Sequence, residues 1–458
     1  MRVTYRAALR GHSPEQVFSW HVRPGGFERL LPPWERIEWI GHEEGGGSGG
    51  KDDARSVTLR MRRGPVSLRW QLRVRSDPAH HRITVESTSG PFTPWIHTTS
   101  FLPDDCGGCT LVDEVELAMP AGLSVGRSIV RGELDRLFRF RHARLARDLA
   151  RHADAATHAP ATVAVTGASG LIGTALRRFL SAGGHRVIPV VRASRARAGA
   201  ITWDPARGRI SSGGFAGVDA VVHLAGESIA GGRWTAEKKR AIFDSRKKGT
   251  ALLSRALAEA GGRVGVMVSA SAVGYYGNRG DEILDEDSRP GRGFLADVCR
   301  AWEDATAPAA RAGLRVVNLR TGMTLSPAGG ALGQMLLPFR IGLGGRLGSG
   351  RQYVSWIDLD DLVALILDAL IDSGLRGPVN ATAPNPITNA TFTTVLGRVL
   401  GRPTLLPVPA LAVQAVFGQM GRELLLEGQR VLPRKAQAAG FRWDSEGVDE
   451  SLSFQLGR

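Results

Sequence analysis

The chain is short of the residues that would brace it covalently or anchor it in a bilayer. Three cysteines in 458 residues cannot make a disulfide framework, which suits a reducing compartment. Two of them, Cys106 and Cys109, form one CxxC in "DDCGGCT". A structural zinc site needs four ligands and there is no second pair. A redox CxxC opens a helix after a strand, whereas this one lies among glycines and reads as a hairpin loop. The N-terminus "MRVTYRAALRG" lacks the apolar stretch of a signal peptide. The most apolar run, "LVALILDALI", carries Asp368 and has about half the length of a membrane span. A cytoplasmic protein without a membrane span is the expectation.

Acidic residues are also scarce relative to basic ones. Lys and Arg outnumber Asp and Glu by 59 to 44, a formal charge of +15. Nucleic-acid binding would gather that excess on one face beside aromatic or base-reading partners. Here arginine is spread through every segment and no nucleic-acid motif accompanies it. No nucleic-acid partner is expected, but some arginines are suited to an anionic cofactor.

The length is too great for one core and suits two or three domains. Residues 1–152 alternate strand-like runs, such as "RSVTLRMRR" and "VSLRWQLRVRS", with Gly, Pro and Asp turns. "EEGGGSGGKDD" reads as a flexible hairpin loop. The region closes on a helix in which Leu134, Leu137, Phe138, Leu145 and Leu149 recur at helical spacing. A linker spans 153–160. From 161 to 375, "TVAVTG", "HRVIPVVR", "VDAVVHLAG", "GVMVSASAV" and "LRVVNLRTG" read as strands separated by helices, an α/β pattern that predicts a doubly wound parallel sheet. Residues 376–458, rich in proline and short helices, read as a C-terminal cap.

"TGASGLIG" places Gly167, Gly170 and Gly173 directly after a strand and at the start of a helix. Amides at that helix terminus face a pyrophosphate, and the glycines let it approach. The next strand ends in Arg192, followed by Ser194 and Arg195. An NAD site would place an acid there for the ribose hydroxyls, whereas arginine suits the 2′-phosphate of NADP. "HLAG" follows a later strand, with Leu224, Ala225 and Gly226 small enough to line the adenine and ribose side; His223 reads as a packed strand residue.

Together, "TGASGLIG", "VDAVVHLAG", "SASAVGYYG" and "LRTG" resemble the extended short-chain dehydrogenase/reductase superfamily. "GRWTAEKKRAIFDSR", "MLLPFRIGLGGRLGSGRQYVSWI" and "PVNATAPNPITNATF" narrow the resemblance to its epimerase family group, over about residues 161–451. The resemblance implies an NAD(P)-binding Rossmann fold, with the cofactor, NADP ahead of NAD, held by Thr166, Gly167, Ser169, Gly170, Leu171, Ile172, Gly173, Arg192, Leu224, Ala225, Gly226, Arg246, Arg320 and Thr321. Arg246, Arg320 and Arg351 are also candidates to grip an anionic substrate.

One part of the superfamily's pattern is missing. A Ser or Thr, a Tyr and a Lys normally handle the proton, the Lys charge lowering the Tyr pKa. None of the four tyrosines is followed four residues later by Lys: Tyr5 leads to Leu9, Tyr275 to Arg279, Tyr276 to Gly280 and Tyr353 to Ile357. The usual pair aligns with Leu295 and Cys299 in "FLADVCRAWE". Ser271 matches the Ser/Thr position, and Tyr275 or Tyr276 stands in as the proton donor. Cys299 reads as a small buried filler. The resemblance implies a His after "SWI" in many relatives, where this chain has Asp358.

Residues 1–152 resemble START-like, polyketide cyclase-like (SRPBCC) domains through "SPEQVFSWHVRPGGFERLLPPWE", "GPVSLRW", "GPFTPWIHTTSF" and the terminal helix. That resemblance implies a helix-grip α+β fold around an apolar cavity, lined by Trp20, Trp34, Trp70, Phe92 and Trp95. His21 and His97 have no neighbouring acid in sequence and stay unassigned. The leading expectation is an NADP-dependent oxidoreductase or nucleotide-sugar-epimerase-like enzyme acting on a small-molecule substrate, fused to a hydrophobic-ligand domain. The alternative is an NADP(H)-bound sensor or assembly factor without turnover, tied to cell-division or envelope machinery as the resemblance suggests.

Overall fold

The computed structural model describes the chain except for residues 45–53, 64–65, 119–123, 156–157, 160, 212 and 261–263. The loop read at "EEGGGSGGKDD" therefore lies almost wholly outside the described residues, and part of the 153–160 linker does too. The chain divides into two compact units, Met1–Asp154 and, in the main, the residues that follow.

The first unit is a seven-stranded antiparallel sheet in the order 1-7-6-5-4-3-2. Its strands are β1 (Arg2–Leu9), β2 (Arg36–Glu44), β3 (Ala54–Arg63), β4 (Val66–Asp77), β5 (Arg82–Ser89), β6 (Trp95–Pro103) and β7 (Cys109–Leu117). Helices α1 (Pro14–Val22) and α2 (Gly26–Arg29) fall between β1 and β2, and the long α3 (Ser124–Asp154) follows β7. Period-two alternation puts Trp95, His97, Thr99 and Phe101 of β6 on the inner face. On β7, Leu111, Asp113, Val115 and Leu117 face the same way. Leu134, Phe138, Leu145 and Leu149 of α3 pack among these apolar residues, as their helical spacing predicts.

The five aromatics proposed for one cavity separate into three places. Trp70 meets Phe92 and Trp95 edge-on and those two rings are tilted against each other, with ring centroids 5.5 to 6.2 Å apart. Trp20 packs with Phe18 and Phe101, and Trp34 meets Phe140. The CxxC is the β6–β7 turn, where Asp104 accepts from the amides of Cys106 and Gly108. Cys109 is buried there, and that burial pushes its thiol up to about 11.

The second unit is built on an eight-stranded sheet, ordered β11-β10-β9-β8-β12-β13-β14-β15. The strands are β8 (Thr162–Thr166), β9 (Arg186–Arg192), β10 (Ile201–Asp204), β11 (Arg209–Ile210), β12 (Ala220–His223), β13 (Val266–Ala272), β14 (Arg315–Thr321) and β15 (Gly377–Ala381). All neighbours run parallel except β10 and β11. β15 falls within the segment assigned to the cap, so the sheet runs past residue 375. β8 has β9 on one side and β12 on the other. The connections part there, which opens a crevice at the carboxyl ends of the strands.

The helices that matter for the site are α4 (Leu171–Ala182), α5 (Ala236–Glu259), α6 (Phe294–Asp304), α7 (Leu359–Ile371) and α8 (Val448–Leu456). The apolar run "LVALILDALI" is α7, buried nearly all round within the core, as such helices are. Among the described residues no helix is long and apolar enough to cross a membrane.

Candidate active site

Backbone geometry at the β8–α4 turn leaves no room for a side chain at Gly167 or Gly173. Gly167 has φ +68°, and a Cβ there would lie 2.9 Å from the Leu224 carbonyl. A Cβ on Gly173 would lie 2.2 Å from the Gly167 oxygen, and one on Gly170 would lie 3.3 Å from it. The turn closes through Gly170 N–H donating to the Gly167 carbonyl at 2.9 Å. Ser169 and Gly170 are exposed, and the first-turn amides of Leu171, Ile172 and Gly173 have no acceptor within the helix. This is a cradle for an anion, with the positive end of the helix dipole behind it.

Thr166 serves the cradle indirectly. Its hydroxyl accepts from the Leu224 and Ala225 amides at 3.1 Å and donates to His223 Nδ1 at 2.7 Å. His223 Nε2 then donates to Thr250 at 2.9 Å. Burial, with Arg246 adding to it, lowers this imidazole to about 4, so it is a neutral clasp between β8 and β12 rather than an acid or base.

Arg192 is exposed at the end of β9. Its charge reaches Glu227, just beyond Gly226: Lys238, at 2.6 Å, chiefly holds that carboxyl below its usual range, and Arg192 and Arg246 add to the effect. Arg246 lies across Gly226, where a Cβ would come 3.2 Å from its guanidinium carbon. It donates to the carbonyls of Glu227 and Ile242 and stands over the Trp302 ring. Thr321 donates along its own strand, to the Leu319 carbonyl.

Ser271, Tyr275 and Tyr276 meet at the ends of β13 and β14, but they are not equivalent. Ser271 Oγ donates to Glu303 of α6 at 2.7 Å. Arg320 grips the same carboxylate with two N–H groups, at 2.9 and 2.8 Å. A third donates to the Tyr276 oxygen at 3.0 Å, and Tyr276 donates in turn to Asn380 at 2.7 Å. Tyr276 is fully buried, and burial raises its pKa. Tyr275 is half-buried, and its ring lies flat against Arg320, 3.5 Å from ring centroid to guanidinium carbon.

Leu295 and Cys299 of α6 lie against Gly274, which falls between Ser271 and Tyr275 in the chain. A Cβ on Gly274 would touch Leu295 at 3.2 Å and approach the Cys299 sulfur at 3.9 Å. Cys299 is buried, and burial pushes its thiol up to about 12, with the charge of Glu303 adding to it. A filler is the right description. Asp358 is structural: it caps α7 through the Asp360 amide and holds Ser451 and Gln455 of α8, at 2.6 to 2.9 Å.

Sequence reasoning missed Glu303, Asn380 and Glu423. Glu303 lies four residues after Cys299, and its pairing with Arg320 depends on the β13–α6–β14 connection. Glu423 accepts from the Phe294 and Leu295 amides at the start of α6. Beside it, a cleft of about 450 Å³ is bordered by Arg279, Arg292, Gly293, Arg422 and Glu423. The Arg320–Glu303 pair is buried, with side-chain exposures of 3% and 12%. Arg320→Met strands the carboxylate and is expected to destabilise the fold by about 3–5 kcal/mol in urea denaturation. Adding Glu303→Gln should recover part of that, and a loss under about 1 kcal/mol would mean that the pair is effectively solvated.

Residues 163–379 match the model described as NAD dependent epimerase/dehydratase family. Residues 408–454 match a domain of unknown function, and residues 2–153 match polyketide cyclase / dehydrase and lipid transport. An epimerase family protein of Mycobacterium bovis is 47% identical over 300 residues, 66% of this chain and 99% of that one. The crystal structure of a nucleoside-diphosphate sugar epimerase from Corynebacterium glutamicum aligns with 99% of this chain and 90% of its own, at 34% identity and TM-score 0.80. Human epimerase family protein SDR39U1, solved with NADPH, aligns with 64% of this chain and 99% of its own, at 38% identity and TM-score 0.59.

Proposed function

The chain belongs to the NAD dependent epimerase/dehydratase family, and from that premise we propose that it is an NADP(H)-dependent oxidoreductase or epimerase-like enzyme. It acts in the cytoplasm on a small molecule, and its polyketide cyclase-like domain takes an apolar ligand. The observation that carries the catalytic reading is the Arg320 guanidinium against the ring of Tyr275. A cation on that face attracts the π-electrons. It also stabilises the negative charge that develops on the phenol as the proton leaves. Arg320 thus stands in for the charge that a lysine supplies elsewhere in the superfamily, although Glu303 shares it.

The cradle residues fit the cofactor. The Leu171, Ile172 and Gly173 amides would hold the pyrophosphate and Arg192 a 2′-phosphate; the bound nucleotide supplies hydride chemistry. Tyr275 is the proton donor of this reading, because Tyr276 is held by Asn380 and Arg320. Ser271, whose own proton faces Glu303, can accept a hydrogen bond from a substrate hydroxyl and orient it. The cleft bordered by Arg279, Arg292 and Arg422, and by Glu423 and Glu427, lies at the start of α6 and would take a polar portion of the substrate. A second reading, a nucleotide-bound sensor without turnover, is favoured by one observation: Ser271, Tyr276 and Cys299 are all committed to internal contacts.

The cofactor assignment is tested by calorimetry. NADPH is expected to bind at least about tenfold more tightly than NADH, about 1.4 kcal/mol. Arg192→Ala should remove that preference and leave NADH affinity unchanged. Equal affinities in the native protein would sink the role given to Arg192, and the human relative's NADPH would then carry no weight for this chain.

A further inference from the structure

The first unit buries a group of ionisable side chains that neither reading uses. Asp113 of β7 accepts from His97 Nε2 and Thr99 Oγ1 at 2.7 Å on one oxygen, and from His142 Nε2 at 2.7 Å on the other. Side-chain exposures are 3% for Asp113, 6% for His97 and 15% for His142. Burial alone would raise the carboxyl, but the hydrogen bonds of His142 and His97 outweigh it and hold Asp113 well below the usual range. His21 of α1 and Arg141 of α3 lie close enough to interact with the same carboxylate. Tyr5 of β1, the register partner of Asp113, turns its hydroxyl to Asp135 instead.

The hydrogen bonds fix the tautomers. A carboxylate only accepts, so His97 and His142 each present Nε2–H to Asp113, and in its neutral form each ring keeps a lone pair on Nδ1. His21 donates Nδ1–H to the Val17 carbonyl at 2.8 Å, which leaves a lone pair on Nε2. Burial lowers His97, and His21 to about 4, so both rings are neutral near neutral pH. Arg141 has no hydrogen-bond or ion-pair partner among the described residues; its guanidinium stands 5.4 Å from the Phe138 ring centroid. Desolvation dominates at Arg141 and His21, yet both keep accessible surface, as His142 does. Side chains that protein surrounds but does not cover line a space instead of filling a core. Phe138, itself fully buried, stacks on Tyr5 with centroids 4.4 Å apart and is met edge-on by His97, which packs the cluster from behind.

A carboxylate, a guanidinium and three imidazoles cost more to bury than apolar residues of the same size. Such clusters gather at functional sites. We infer that Asp113, His97, His142 and Arg141 form a proton-transfer site for a ligand with a weakly acidic hydroxyl or enol. The ligand O–H bond breaks and its electron pair stays on oxygen. The proton passes to Nδ1 of His97 or His142. Asp113 balances the imidazolium and Arg141 holds the oxyanion, so the number of charges of each sign stays equal. The inference rests on reading this unit as an apolar-ligand domain.

The test uses 4-nitrophenol with the full chain, because its phenolate and phenol differ in absorbance. Bound probe should ionise at a pH lower than free probe, by about tenfold or more in proton concentration. His142→Gln and Arg141→Met should each bring that midpoint back toward the free value while thermal melting shows the protein folded. A melting loss in the variants leaves the native measurement decisive. Probe that binds with an unshifted midpoint, or a shift that survives both folded variants, overturns the inference but not the apolar-ligand reading. Absence of binding at millimolar probe overturns both.

Discussion

Gly173→Ala is expected to lower NADPH affinity by at least a hundredfold, about 2.7 kcal/mol, whereas Gly170→Ala should cost less than tenfold. Both glycines belong to the same turn, and sequence treats them alike. The difference is space. The added methyl at Gly173 would sit 2.2 Å from the Gly167 oxygen and 2.8 Å from the Ala168 Cα, both backbone atoms. Either the Gly167–Gly170 turn opens or the start of α4 retreats, and each movement displaces the Leu171–Gly173 amides from the anion. At Gly170 the approach is 3.3 Å and concerns one oxygen, a contact that a few tenths of an ångström relieve. Calorimetry reads the affinities and thermal melting confirms that each variant folds. Comparable losses for the two variants would show that the amides are not set by this packing.

The glycine turn was legible because its spacing, the strand before it and the helix after it are all local. So were β8, β9, β12, β13 and β14, strands of four to seven residues with apolar centres. β10 and β11 were not: β11 has two residues, and the four of β10, "ITWD", carry no continuous apolar run. β15 opens on Gly377 and Pro378, residues that elsewhere signal a loop. The missing Tyr-x-x-x-Lys could be read directly, but its replacement could not. Arg320 reaches Tyr275 and Tyr276 because β13 and β14 pair with Ser271 opposite Arg320, a register no single-sequence period reveals. The acid missing for His97 was hidden in the same way. Asp113 is sixteen residues away in sequence and adjacent across the β6–β7 hairpin. Arg320, read as a cofactor or substrate contact, instead spends its donors on Glu303, Tyr276 and the Glu286 carbonyl.

The other large effect is expected at Tyr275. If its hydroxyl is the donor and Arg320 stabilises the charge left behind, removing that oxygen should slow proton transfer by about a hundredfold or more. Tyr276→Phe removes a buried hydroxyl already committed to Asn380 and Arg320, so it should weaken the fold while leaving transfer within about tenfold, since an internal hydrogen bond is worth about 1 kcal/mol. The deciding measurement is deuterium transfer from NADPH labelled at the nicotinamide carbon. The acceptors are small molecules that the purified chain retains, together with a panel of carbonyl compounds, read by mass spectrometry. The account predicts transfer from one face of the nicotinamide in the native chain and in Tyr276→Phe, and its loss in folded, NADPH-binding Tyr275→Phe. Transfer that persists in Tyr275→Phe would contradict the donor, and tight NADPH binding with no transfer to any acceptor would contradict the enzyme.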